Sequence, residues 1–175
     1  MYLELFNKDI LIIGCGNPLL GDDGFGPAVI RSLELQDVLP GGIGLLDAGT
    51  SIRELLFDML LSGRVPELLV IIDAVQVSHA LPGEIIRIDV DGIPGNKIAD
   101  YSLHQFPTTN MLQELKASCR TKIVIYAVQV ADVPEMVRPG LSLPVKAAVP
   151  RMCDLIRRWI YGKDGLSCDR ELPPC

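Results

Sequence analysis

The stretch from Asp9 to Gly26, D-I-L-I-I-G-C-G-N-P-L-L-G-D-D-G-F-G, leaves few folds open to the chain. Ile10 to Ile13 is an unbroken apolar run that stops at glycines, the pattern of a parallel strand buried on both faces. Gly14 and Gly16 let the backbone turn sharply or be approached closely. Beyond Asp22 and Asp23 the apolar period lengthens, with Phe25, Val29, Ile30 and Leu33 spaced as one face of a helix. Two adjacent carboxylates therefore stand where the first strand hands over to the first helix. In open α/β sheets, ligands bind outside the carboxyl ends of the strands, so this turn is the first candidate for a site.

Downstream, strand and helix signals alternate. Pro40-Gly41-Gly42 is a turn, and Ile43 to Leu46 reads as a second strand ending in Asp47-Ala48-Gly49-Thr50. Ser51 and Glu54 have the spacing of a capping box for a helix with Ile52, Leu55, Leu56, Met59 and Leu60 on its apolar face. Leu68 to Ile72 is the most hydrophobic strand, closing on Asp73. Glu84 to Val90 alternates as a half-wet strand, residues 91–100 form a surface excursion, and a helical stretch runs to Leu115. Ile123 to Val130 reads as an inner strand. A last helix starts near Ser142 and Pro144 and ends near Tyr161, with a kink expected at Pro150. The reading is one α/β domain over residues 1–161, with a mostly parallel sheet of about five strands and helices on both faces. Residues 162–175 are expected as a loosely ordered tail.

With 175 residues and 49% hydrophobic content, one core is affordable and two are not. A net charge of −6 without a Lys/Arg cluster removes the footprint of a general nucleic-acid binder. Glu4 and Asp9 stand where a secretory signal needs a positive, then apolar, segment, and no run has the length of a membrane span. The expectation is a cytoplasmic protein, acting as a monomer. Five cysteines, odd in number and without a C-x-x-C pair, define neither a zinc knuckle nor a disulfide framework. Cys119 and Cys153 read as small hydrophobes. Cys15 lies in the glycine turn, but no base or cation beside it would activate a nucleophile.

Asp23, Asp73 and His104 are the polar residues that the pattern singles out. If the first and third strands are parallel neighbours, both acids emerge at one sheet edge, and the loop carrying His104 can return there. An imidazole with two carboxylates suits a borderline divalent cation such as Ni²⁺ or Zn²⁺. The plainer alternatives are that Asp22 or Asp23 caps the first helix, that Asp73 is bonded to loop amides, that His104 is a structural hydrogen bonder, and that His79 is solvated. A dinucleotide site competes, but Gly14 to Gly21 lacks the third glycine of G-x-G-x-x-G, and Asp22 and Asp23 would repel a pyrophosphate. Neither a G-x-S-x-G elbow nor an H-E-x-x-H helix is present.

Taken in order, G-C-G-N-P-L-L-G-D-D-G-F-G (residues 14–26), L-D-A-G-T (46–50), I-I-D-A-V (71–75), P-G-E (82–84) and S-L-H-Q (102–105) resemble the nickel-iron hydrogenase maturation endopeptidases. The likeness runs from about Leu11 to Trp159. It is similar in particular to members serving the deazaflavin-coenzyme-reducing hydrogenases of methanogenic archaea. The resemblance implies a protease that removes a C-terminal peptide from the hydrogenase large-subunit precursor after nickel insertion. It places metal contact and catalysis on Asp23, Asp73 and His104, and substrate binding on Asp47, Gly49 and Thr50. It also implies that nickel arrives with the substrate, with zinc as another metal the site would accept. Asp23 replaces the glutamate of some members, and Ala48 replaces a glycine. A non-catalytic nickel-sensing chaperone of the same precursor uses the same residues and stays open as the alternative.

Overall fold

The computed structural model describes residues 2–36, 38–88, 90, 109–119 and 121–161. After a 3-10 segment at Tyr2–Asn7, the chain forms β1 (Ile10–Cys15), α1 (Phe25–Gln36), β2 (Ile43–Gly49), α2 (Ile52–Ser62), β3 (Leu68–Val75), β4 (Ile85–Ile88), α3 (Thr109–Cys119), β5 (Lys122–Gln129) and α4 (Leu143–Tyr161). The sheet order is β2-β1-β3-β5-β4. Four strands are parallel, and β4 closes one edge antiparallel to β5.

Burial follows the sheet. Every residue of β1 and β3 is buried, as inner parallel strands require. On one face, Ile10, Ile12, Val70, Ile72 and Tyr126 pack under the apolar sides of α1 and α4. On the other, Leu11, Ile13, Leu69, Ile71 and Ile125 pack under α2 and α3. The three-layer α/β architecture expected from the alternating signals is the one observed.

Pro150 lies inside α4, where it was expected, and the helix runs on through it for 19 residues. Ala148, Met152 and Cys153 on the packed face are buried, while Pro150 is exposed. Ser51 stands at the N-cap of α2 but makes no side-chain cap, because its φ of −93° and ψ of 21° depart from the extended conformation that aims a hydroxyl at the first turn. The expected capping box is therefore not formed. The segments 91–108 and 162–175, which include the expected surface excursion and tail, lie outside the described residues.

What positions the site is the approach of α1 to β1. Gly14 and Gly26 face each other, and a methyl group at Gly26 would overlap the carbonyl oxygens of Cys15 and Ile72. The helix start thus seats directly on the carboxyl ends of β1 and β3. Gly26→Ala is expected to cost about 1–3 kcal/mol or more through overpacking against backbone that cannot yield. Gly41→Ala, with open space around it, should stay within about 0.5 kcal/mol. Urea unfolding of both variants checks this, and equal midpoints would contradict it.

Candidate active site

The chain leaves β1 toward β2 and leaves β3 in the opposite direction toward β4 and β5, so the strand order reverses between β1 and β3. Such switch points open a crevice at the carboxyl edge. Asp23 belongs to the loop after β1, and Asp73 is the sixth residue of β3, paired with Ala127 of β5. Asp47 lies in register with Gly14, which in turn pairs with Ile72. Three carboxylates are therefore delivered by three adjacent strands to one edge.

Asp23 is 1% exposed and Asp73 2% exposed, which is far from the usual surroundings of a carboxylate. Each is held by backbone amides. The Asn17 N–H donates to Asp23 Oδ2 at 2.8 Å, and the Ala74 N–H donates to Asp73 Oδ1 at 2.8 Å. Such charge-assisted bonds fix a buried carboxylate in place and offset part of its desolvation cost. The turn beneath Asp23 depends on Gly16, whose φ is +125° and whose position admits no Cβ, because one would overlap the Asp23 carbonyl oxygen.

Cys15 reports the convergence. Its thiol is buried, and burial pushes it well above the usual thiol range, with the charges of Asp73, Asp47 and Asp23 adding to the effect. A single sulfur thus lies within electrostatic reach of acids from three separate strands and loops. The same surroundings make it a poor nucleophile, as its neutral, cation-free neighbourhood in the sequence suggests.

On β2, a register shift between Gly14 and Cys15 sets Ala48 out as the extra residue of a bulge. The methyl of Ala48 is half-buried against the core under α2, so the departure from glycine is accommodated by packing. Asp47 Oδ1 accepts the Gly49 N–H at 3.0 Å, and the Gly49 carbonyl accepts the Gly16 N–H at 2.9 Å. The Asp47-to-Thr50 turn is thereby tied to the first loop. Asp47 and Thr50 are exposed. A cleft of about 540 Å³ opens beside this turn, with Pro18, Gly21, Arg31, Asp47, Gly140 and Leu141 among its walls.

His104 lies outside the described residues, so the structure brings together two of the three residues singled out as metal contacts. Among the described residues, no group of three His, Cys, Asp or Glu side chains is arranged to hold a metal ion. His79 is exposed, as expected. Cys153 is buried and Cys119 half-buried, and neither of them nor Cys15 forms a disulfide among the described residues. For Asp22 the helix-capping alternative is not what is seen. Residues 21–24 form a 3-10 turn ahead of α1, and the Asp22 carboxylate instead accepts hydrogen bonds from residues 131, 132 and 142. Sequence reasoning missed that role, as it missed buried Gln129, whose Oε1 accepts the Val77 N–H at 2.9 Å and steadies the chain leaving β3.

A family model described as hydrogenase maturation protease matches residues 27–159. The chain belongs to the hydrogenase maturation protease family. It is 33% identical to the coenzyme F420 hydrogenase subunit delta of Methanothermobacter thermautotrophicus, over 86% of this chain and 94% of that one. It is 30% identical to the hydrogenase 2 maturation protease of Escherichia coli, over 80% and 83% of the two chains. The hydrogenase maturating endopeptidase HybD from Escherichia coli superposes with a TM-score of 0.69 at 27% identity, covering 88% of this chain and 93% of that one. The family is one of proteases, hydrolases that act on hydrogenase precursors.

With its proton held to higher pH than in the unfolded chain, the Cys15 thiol makes a stability contribution that is complete below about pH 8.5 and lost as pH rises above it. Cys15→Ala should flatten the alkaline fall in stability measured by chemical denaturation from pH 7 to 10. It should also retain peptide-bond cleavage. An unchanged alkaline slope, or loss of cleavage in a folded variant, would contradict this account of the thiol.

Proposed function

We propose that the chain removes a C-terminal peptide from the precursor of a nickel-iron hydrogenase large subunit once nickel has been inserted. The observation that carries this reading is the pair of buried carboxylates, Asp23 and Asp73, delivered by neighbouring parallel strands to one crevice. Buried carboxylates are costly and are tolerated where they meet a cation or do chemistry. His104 is the third proposed contact. The likeness to the coenzyme F420 hydrogenase subunit favours a deazaflavin-coenzyme-reducing hydrogenase as partner.

In this reading nickel is part of the substrate. Two oxygen donors and one imidazole leave positions open on a borderline cation, and thiolates of the precursor would fill them. Asp23 and Asp73 then complete the coordination of a metal already seated in the precursor, which makes cleavage conditional on correct loading. Nickel, or water bound to it, would polarise the scissile carbonyl or supply hydroxide. Asp47, Gly49 and Thr50, on the turn beside the cleft, would guide the extended peptide past the carboxylates. Because Asp23 and Asp73 are each fixed by a backbone amide, their orientation is set before the precursor arrives. A cytoplasmic setting and a monomer belong to the proposal.

Asp23→Asn, Asp73→Asn and His104→Ala are each expected to lower processing of nickel-loaded precursor by at least about 100-fold, the scale of losing one catalytic group, while circular dichroism stays unchanged. Mass spectrometry of the precursor reads the outcome. Full activity in any folded variant removes that residue from the mechanism. Intact wild-type precursor after incubation would favour the non-catalytic chaperone instead.

A further inference from the structure

Asp22 stands next to Asp23 and is equally buried, at 1% exposure, yet it is engaged elsewhere. Its Oδ2 accepts the Ala131 N–H at 2.8 Å, the Asp132 N–H at 3.2 Å and the Ser142 hydroxyl at 2.8 Å. Its Oδ1 accepts the Ser142 N–H at 2.6 Å. A carboxylate offers about four acceptor positions, so these four donors engage both of its oxygens and most of its capacity.

The donors sit at the two ends of one irregular segment, 131–142, which runs from β5 to α4. A carboxylate that grips both ends closes the segment into a loop of fixed span. The loop then lies against the first loop, with the Arg138 N–H donating to the Leu19 carbonyl and the Gly21 N–H donating to the Arg138 carbonyl, both at 2.9 Å. Gly140 and Leu141, just before the clamp, form one wall of the cleft, with Asp47 and Pro18 on its rim. Exposed Leu19, Met136 and Val137 lie on the two paired loops, offering apolar surface beside that cleft.

We propose that Asp22 is a positioning residue for substrate: it fixes the 131–142 wall of the cleft that receives the precursor, while Asp23 serves the crevice. This inference rests on the protease reading above. It also explains why two acids are needed at this turn, since one carboxylate cannot face both the distal loop and the β1/β3 crevice. Asparagine cannot replace aspartate here. All four bonds need an acceptor, and even with the amide oxygen placed where Oδ2 takes three of them, the NH₂ group would confront the Ser142 N–H.

The test is steady-state processing of nickel-loaded precursor by full-length Asp22→Asn and Ser142→Ala, together with hydrogen exchange of both variants. Asp22→Asn is expected to raise KM about tenfold or more, as loss of hydrogen bonds to a charged group would, with kcat within about twofold of wild type. Ser142→Ala, which removes one donor and keeps the carboxylate, should shift KM in the same direction by less. Peptides spanning 131–142 should exchange faster in both, while those of β1 and β3 stay protected. A fall in kcat at constant KM, or unchanged kinetics, overturns the proposal. If Asp22→Asn does not fold, Ser142→Ala decides by the same criteria. If wild type leaves the precursor uncut, the protease reading fails, and unchanged exchange over 131–142 would then overturn the clamp as well.

Discussion

The close seating of α1 on the ends of β1 and β3 is the constraint on which the rest of the molecule depends. Gly14 and Gly26 meet with no room for a side chain, so the first turn of the helix comes down onto the carboxyl edge of the sheet. That approach compresses the loop between strand and helix. It forces Gly16 into a left-handed conformation over the Asp23 backbone and leaves residues 21–24 as a tight 3-10 turn. The two aspartates of that turn are buried because the turn itself is buried.

Burying three carboxylates within a small volume demands compensation, and the chain supplies it mainly through backbone amides. Asn17 serves Asp23, Ala74 serves Asp73, and residues 131, 132 and 142 serve Asp22. The distribution divides the labour. Asp22 spends its acceptors on architecture, whereas Asp23 and Asp73 stand on either side of the reversal in strand order, where α/β sheets place their ligands. The charge of the cluster is felt at Cys15, whose thiol is pushed up by burial and by the surrounding acids. The family to which the chain belongs acts on hydrogenase precursors.

The fold was legible because its signals are local. Unbroken apolar runs at Ile10 to Ile13 and Leu68 to Ile72 announce inner parallel strands, and acids at the ends of such runs announce an edge where something polar happens. Asp23 and Asp73 were found that way. Asp22 was not understood, because its partners lie more than a hundred residues away and are backbone amides, which carry no sequence signature. Gln129 escaped for a related reason, since a polar residue at the end of a strand looks solvated until its loop folds over it. The capping box at Ser51 failed because it depends on backbone angles that tertiary contacts override.

The central claim is that the carboxylate crevice reads nickel already seated in the substrate. It is tested most directly by incubating the purified protein with nickel-loaded and nickel-free hydrogenase large-subunit precursor in parallel and weighing both by intact-mass spectrometry. The account predicts loss of a C-terminal peptide from the loaded precursor alone. Equal cleavage of the two forms, or cleavage of neither, would contradict it.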